Sequence, residues 1–240
     1  MSFSGRTALV TGAAGGMGGN IARDLAAAGA RVIGIDLQPR PDGFADWVQG
    51  DVGDEATFAR AMTTAARDGV HYLVNAAGVL WFERDRSLVD IELTTWDQVL
   101  RINLTGCMLA ARHAIPLMRK SGGAMVHISS TQCLRGDPAP QDAYQVAKAG
   151  ILALSKSIAI QFAKDRIRSN VLLPSATESP MQARWQADPA LKTRTAAGVP
   201  LGRVGTTQDM ADACLFLLSE RAAFITGAEL VVDGGRTALP

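Results

Sequence analysis

Short apolar runs rich in β-branched residues recur along the chain at 7–11, 31–36, 72–75, 124–129, 167–173 and 229–232. Between them lie longer, Ala-rich stretches with apolar positions at helical spacing, at 17–28, 56–67, 96–118, 143–163 and 208–218. Near-continuous apolar runs mark strands buried on both faces. Their alternation with helices predicts an α/β fold: a parallel sheet covered on both sides. A weaker seventh strand is expected at 47–49. No repeat, low-complexity segment or linker interrupts the pattern, so one domain over residues 1–240 is expected. In such a sheet ligands bind in the crevice beyond the carboxyl ends of the strands. Residues that carry chemistry should therefore lie just after strands.

Composition narrows the possibilities. With 48% hydrophobic residues in 240, the chain has enough apolar material for a sizeable core. Its 24 basic and 23 acidic side chains leave a net charge of +1, and no basic stripe suggests a nucleic-acid partner. The run Glu83, Arg84, Asp85, Arg86 alternates in sign and reads as a solvated loop. Cys107, Cys133 and Cys214 form no C-x-x-C pair, and His71, His113 and His127 are scattered. No metal or disulfide framework is expected, and reduced thiols point to the cytoplasm. Met1 to Gly5 is short and polar, so no targeting segment is expected, and no apolar run is long enough to cross a bilayer.

The first strand is followed by Thr11-Gly12-Ala13-Ala14-Gly15-Gly16-Met17-Gly18, which opens the first helix. Glycines there let the backbone turn sharply and approach a pyrophosphate held on the N–H groups at the positive end of the helix. Asp36 ends the second strand. An acid at that point accepts hydrogen bonds from the adenosine ribose hydroxyls and repels a 2′-phosphate. Gly15 and Leu37 occupy the positions where a basic residue would welcome that phosphate, which favours NAD over NADP. Asp51-Val52 follows the third strand and Asn75-Ala76-Ala77-Gly78 the fourth. Small residues in the latter would let the backbone pass close to the adenosine.

Tyr144 and Lys148 stand four apart near the start of a long helix and share one face. A free phenol has a pKa of ~10 and is a poor base. A neighbouring ammonium or an oxidised nicotinamide would favour the phenolate, letting Tyr144 give or take a hydroxyl proton while hydride moves at carbon. Ser130 at the end of the fifth strand could hold the substrate oxygen, with Ser129 as its competitor. Asn103 falls inside a helix pattern where Asn has poor propensity. It is either a locally satisfied polar side chain or one end of a water link to Lys148.

These residues resemble the short-chain dehydrogenase/reductase superfamily in its single-domain branch. The resemblance runs over the whole chain: 11–18, Asp51, 75–78, Asn103, Ser130, Tyr144 and Lys148, then 167–171, Pro174, Met181, 201–203, 225–227 and 232–235. It implies a Rossmann-like, doubly wound, seven-stranded parallel sheet and a nicotinamide cofactor, here NAD. It implies a catalytic set of Asn103, Ser130, Tyr144 and Lys148, with Lys148 on the nicotinamide ribose. Cofactor contacts are implied at Gly12, Gly15, Gly16, Met17, Gly18, Asp36, Asp51, Val52, Asn75, Ala76, Ala77, Gly78, Tyr144, Lys148, Pro174, Ser175 and Thr177. A homotetramer, or a homodimer, is implied as well.

The chain departs from the family pattern in three places. Pro174 is followed by Ser175 rather than glycine, and the next threonine position holds Ser179, leaving Thr177 as another carboxamide contact. The interval from Ser130 to Tyr144 is one residue longer than the family's common value, absorbed in a loop, 132–142, with Gly136, Pro138 and Pro140. The connection from Asp36 to Asp51 leaves little room for a helix. That trimming, with Met181-Gln182 before Trp185, resembles the 2,3-dihydro-2,3-dihydroxybenzoate dehydrogenase group.

Substrate selection is expected from 79–82, 132–134 and 178–195. Trp81, Leu134, Met181 and Trp185 would make an apolar wall suited to a cyclic or aliphatic substrate more than a highly charged one, or would pack a lid or subunit contact. The expected activity is hydride transfer between NAD(H) and a secondary alcohol or ketone, a small-molecule substrate, with a cyclic alcohol or a dihydrodiol as candidates. A 3-oxoacyl carrier-protein reductase is the nearest alternative, but the basic NADPH signature of that role is missing. A non-catalytic dinucleotide-binding redox sensor would have no use for the Tyr144/Lys148 pair.

Overall fold

The computed structural model describes residues 1–65, 67–137 and 139–239; Ala66 in the expected second helix and Pro138 in the 132–142 loop lie outside the described residues. The strands are β1 (Thr7–Thr11), β2 (Arg31–Asp36), β3 (Asp46–Gln49), β4 (Tyr72–Asn75), β5 (Gly123–Ile128), β6 (Ile167–Pro174) and β7 (Glu229–Val232). They form one parallel seven-stranded sheet in the order β3-β2-β1-β4-β5-β6-β7. The chain runs outward from β1 to β3, then crosses back to lay β4 on the other side of β1. The crevice at this switch point lies beyond Thr11 and Asn75, which are paired in register.

The helices are α1 (Gly16–Ala27), α2 (Glu55–Ala65), α3 (Leu93–Leu100), α4 (Gly106–Met118), α5 (Asp142–Gln161), α6 (Arg184–Ala187), α7 (Pro189–Ala197) and α8 (Thr207–Leu218). Successive strand residues point to opposite faces. Ala8, Val10, Val74 and Val126 pack on Ile21 and Leu25 of α1 and Leu217 of α8. Leu9, Ile33, Leu73 and Met125 pack on Phe58 of α2, Ala114 of α4 and Ile158 of α5. Each large side chain buried this way contributes ~1.5–3 kcal/mol, and the two layers hold the strand ends that build the crevice.

Three features differ from, or add to, the sequence pattern. The helix expected at 96–118 runs from Leu93 to Met118 but is interrupted by a π-helical turn at Arg101–Thr105, where the Gly106 N–H reaches back five residues to Arg101 O. The stretch 178–195 contains α6 and most of α7. No side chain of α7 is buried, so it has no apolar stripe to announce it. Its start is nonetheless written locally: Pro189 opens the helix and Asp188 accepts a hydrogen bond from Leu191 N at 3.1 Å. Between β2 and β3 there is only a turn-rich loop, as the short spacing requires. Among the described residues, no helix is long and apolar enough to cross a membrane.

Candidate active site

The glycine loop leaves β1 and is locked against the exit of β4. Thr11 Oγ1 accepts hydrogen bonds from Ala76 N and Ala77 N, both at 3.2 Å. Gly12 has φ +70°, and a Cβ there would lie 2.7 Å from Ala77 N. A Cβ on Gly18 would collide with the Gly12 carbonyl oxygen, and one on Gly16 would lie 2.8 Å from Pro180 Cδ. These positions admit only glycine without displacement. Gly15 caps α1 with no side-chain hydrogen bond, so the first-turn N–H groups stay open toward the crevice.

A cavity of about 390 Å³ lies over this loop. Gly12, Gly15, Gly16, Met17, Gly18, Asp36, Asp51, Val52, Ala76, Ala77 and Gly78 line it. Asp36 accepts hydrogen bonds from Ala14 N and Gln38 N, both at 3.0 Å, so its carboxylate braces the loop from below. Asp51 pairs with Arg101 at 2.7 Å and accepts from Gly53 N at 2.7 Å; these contacts outweigh burial and hold its carboxyl below the usual range. Asn75, expected among the cofactor contacts, is placed differently from 76–78. Its side chain is buried and does not border this cavity. It turns into the sheet, where Nδ2 donates to Cys107 O at 3.3 Å and lies 3.0 Å from His127 Nδ1. Burial holds His127 at about 4 and pushes the Cys107 thiol up to about 12, so this cluster is uncharged.

A second cavity of about 220 Å³ lies beyond the ends of β5 and β6. Ser129, Ser130, Tyr144, Pro174, Ser175 and Thr177 border it. Met17, Leu80, Ser179 and Met181 border both cavities, so the two meet. Tyr144 is 7% exposed. Burial pushes its phenol up to about 12, opposed by the Ser130 hydroxyl beside it. Ser129 is committed elsewhere, its Oγ donating to Lys148 O at 2.8 Å.

Lys148 is buried on the same helix as Tyr144. Its Nζ lies 5.6 Å from the Tyr144 ring centroid and donates to Ile128 O at 2.8 Å. Burial lowers Lys148 itself to about 8. Asn103, carried by the π turn, uses both ends of its amide on one residue: Oδ1 accepts from Val79 N at 2.8 Å and Nδ2 donates to Val79 O at 2.9 Å. These two bonds tie the π turn to the chain leaving β4. Gly78 lies between it and Lys148: a Cβ there would be 2.9 Å from Asn103 Oδ1 and 3.3 Å from Lys148 Nζ.

Residues 12–237 match a family model described as enoyl-(acyl carrier protein) reductase. A cis-4-hydroxycyclohexanecarboxylate dehydrogenase from Sinomonas cyclohexanicum is 37% identical over 251 residues, covering 99% of each chain. The chain belongs to the short-chain dehydrogenase/reductase superfamily. A second relative of this superfamily, named inactive 2-(S)-hydroxypropyl-CoM dehydrogenase 2 from Xanthobacter autotrophicus, is 37% identical over 234 residues, 91% of this chain and 100% of its own. The aldohexose dehydrogenase of Thermoplasma acidophilum superposes with a TM-score of 0.92 at 27% identity, over 99% of this chain and 96% of its own.

Within this superfamily fold, one residue near the tyrosine was misjudged from sequence. Asp85, assigned to a solvated loop, is 1% exposed. Its carboxylate accepts hydrogen bonds from Ala143 N at 3.0 Å and Tyr144 N at 2.8 Å, and so ties the loop after β4 to the first turn of α5. Burial raises its pKa, opposed by these two N–H donors. An acid at an open helix start satisfies orphan N–H groups and faces the positive end of the dipole. The alternating run concealed this. Only its neighbours 58 and 59 residues away distinguish Asp85 from Glu83. The expected apolar wall is also corrected. Trp81 borders the glycine-side cavity, with Arg84 stacked 4.3 Å over its ring. Leu134 is 44% exposed and borders neither cavity.

Proposed function

We propose that this protein is an NAD(H)-dependent dehydrogenase that moves hydride between nicotinamide and a secondary alcohol or its ketone. The observation that carries the reading is the meeting of two cavities, one floored by glycines and one by Tyr144 and Ser130. The glycine cradle fits a dinucleotide: a Cβ at Gly12 or Gly18 would strike neighbouring backbone and push the loop out of shape, and the uncapped start of α1 offers N–H groups to a pyrophosphate. The residues for this are Gly12, Gly15, Gly16, Met17 and Gly18, with Asp36 for the adenosine ribose, Asp51, Val52 and 76–78 along the adenosine, and Pro174, Ser175 and Thr177 toward the carboxamide. When bound, the nicotinamide supplies or accepts the hydride.

The chain's own residues handle the proton and the oxygen. Tyr144 donates its phenolic proton to the nascent alkoxide in reduction and takes it back in oxidation. Ser130 donates a hydrogen bond to the same oxygen. Lys148, buried beneath Gly78, places a cation under the floor of the crevice, and Asn103 holds the strand exit that forms its wall. Ser175 stands where the family carries glycine, and it borders the Tyr144 cavity.

Asp36 beside Leu37 and Gly15, with no basic residue among the three, supports NAD over NADP. The named dehydrogenase relative supports a cyclic alcohol as substrate. A cavity of about 220 Å³ is smaller than the ~300–1,000 Å³ typical of drug-sized ligands, which favours a small molecule over an acyl chain on a carrier protein. Ile160 and Phe224, 80% and 104% exposed, with Leu88, Val89 and Leu93, supply apolar surface for the proposed homotetramer. The free thiols suit a cytoplasmic location. A panel of secondary alcohols and ketones, assayed with NAD(H) and NADP(H) in parallel, tests the reading. Turnover with clear preference for NAD(H) is expected. Preference for NADP(H) would overturn the cofactor assignment, and tight NADH binding without any turnover would leave a dinucleotide-binding sensor.

A further inference from the structure

The Tyr144 cavity carries charge that the proposed hydride chemistry does not use. Arg135, Arg184 and Arg236 all border it, against the single carboxylate of Asp137. Asp137 is itself engaged, accepting from Ala139 N at 3.0 Å and from Gln132 Nε2 at 3.3 Å. Among the described residues none of the three arginines has a carboxylate within ion-pair distance. Nearby cations are paired: Lys192 with Glu178 at 2.7 Å and Arg194 with Asp188 at 3.2 Å. Arg184 is also held in place, its guanidinium stacked 3.7 Å from the Phe82 ring centroid and donating to Gln182 Oε1 at 3.0 Å. Stacking on an aromatic face limits the rotamers of a long side chain and so reduces the ordering cost of binding.

A second observation comes from uncharged groups. Trp185 is 5% exposed, borders this cavity, and its indole Nε1 is buried with no hydrogen-bond partner. A buried N–H left unmet costs ~1–3 kcal/mol, and in native proteins it commonly waits for a ligand or water. Gln132 Oε1, also bordering the cavity, is a buried acceptor without a partner. Both orphaned groups belong to residues that border the cavity, together with three guanidiniums that have no carboxylate partner. A hydroxy acid complements that pattern: its carboxylate accepts and its hydroxyl donates.

We propose that the substrate is a small hydroxycarboxylate, or the matching oxo acid, whose carboxylate is received by the Arg184 guanidinium while its carbinol carbon faces Tyr144. Planar guanidinium matches a carboxylate with two parallel hydrogen bonds. Phe82, Leu80 and Met181 supply an apolar wall for the ring or short chain between the two ends. The expectation of a substrate without much charge, drawn from apolar residues in the sequence, is replaced by an apolar middle with one anionic end. This inference rests on the dehydrogenase reading, and the test separates the two.

Hydroxycyclohexane- and hydroxyalkane-carboxylic acids are assayed beside their methyl esters and cyclohexanol, with NAD and with NADP, in the wild type, Arg184→Met and Arg184→Lys. The acids should exceed their esters in kcat/KM by ~10-fold or more. Arg184→Met should lower kcat/KM for the acids by ~10–100-fold, chiefly through KM, and leave the esters nearly unchanged. Arg184→Lys should recover part of the loss. Esters turned over as well as acids, or Arg184→Met slowing both alike, would overturn the carboxylate site and leave the dehydrogenase reading standing. No turnover of any alcohol with either cofactor would overturn both.

Discussion

On the glycine side of the crevice, the groups that face the cavity are mostly backbone, held by steric exclusion. On the tyrosine side they are side chains, and their chemistry is set by burial. Gly12 and Gly18 stay open because a single methyl at either would strike neighbouring backbone. Tyr144 and Lys148 are pushed in opposite directions, one up to about 12 and the other down to about 8, by the same loss of water. The first region is specified by shape and tolerates no added volume. The second is specified by electrostatics and tolerates no change of polarity. Damage to one should therefore appear in cofactor binding, and damage to the other in turnover.

Tyr144→Phe should give the largest effect on chemistry. It removes the proton carrier without changing shape, so turnover should fall by ~10²–10⁴-fold while NADH affinity by fluorescence titration stays close to wild type. Parallel losses in both would erase the distinction between the two regions. Gly18→Ala makes the reverse test. Its Cβ meets the Gly12 carbonyl oxygen, so we expect ~1–3 kcal/mol of lost stability in urea melts, as for other overpacked sites, together with weaker NADH binding. Unchanged NADH affinity in a folded Gly18→Ala protein would show that the loop's shape is not what holds the dinucleotide.

Asp85→Ala joins the two halves. It leaves Ala143 N and Tyr144 N without their acceptor, which should cost ~1–2 kcal/mol as for other lost helix caps. It should also lower kcat through a less ordered tyrosine, with little change in KM for cofactor. Asp85→Asn, which keeps a side-chain acceptor, should recover part of the loss. A variant that loses stability but keeps wild-type kcat would confine Asp85 to holding the fold.

The smallest effect is expected in a pH dependence. Lys148 has a folded-state pKa of about 8 against an ordinary 10.5. A lysine lowered in this way binds its proton more weakly in the folded chain than in the unfolded one. Its uncharged form therefore adds stability above ~10.5 that is lost as pH falls through about 8. Lys148→Met deletes that dependence. The wild type should lose stability relative to the variant between pH ~10 and ~7, as read by urea midpoints at the two values. A constant difference would mean that the ammonium is not desolvated.

Much of this was legible along the chain. The strands at 7–11, 31–36, 72–75 and 229–232 form at those residues because an apolar run buried on both faces needs no partner information to be recognised. The glycine turn was legible because close backbone approach demands a residue without Cβ. Other features were hidden for equally physical reasons. The partner that Asn103 holds from the π turn, Val79, lies 24 residues away. α7 buries nothing and so has no stripe. Trp81 and Leu134 have the right composition for a substrate wall but face elsewhere, because loop direction is set by what the loop packs on.

What the order of residues determined alone is whatever rests on local stereochemistry and periodicity: the seven strands, the helices between them, the positions that must be glycine, and a tyrosine and lysine sharing a helical face. What only the folded chain decided is which polar groups lose their water. Asp85 and Glu83 are chemically alike and two residues apart, yet one is buried against α5 and the other belongs to the surface. Desolvation and pairing are produced by neighbours distant in sequence, and they turn a list of ionisable residues into a site.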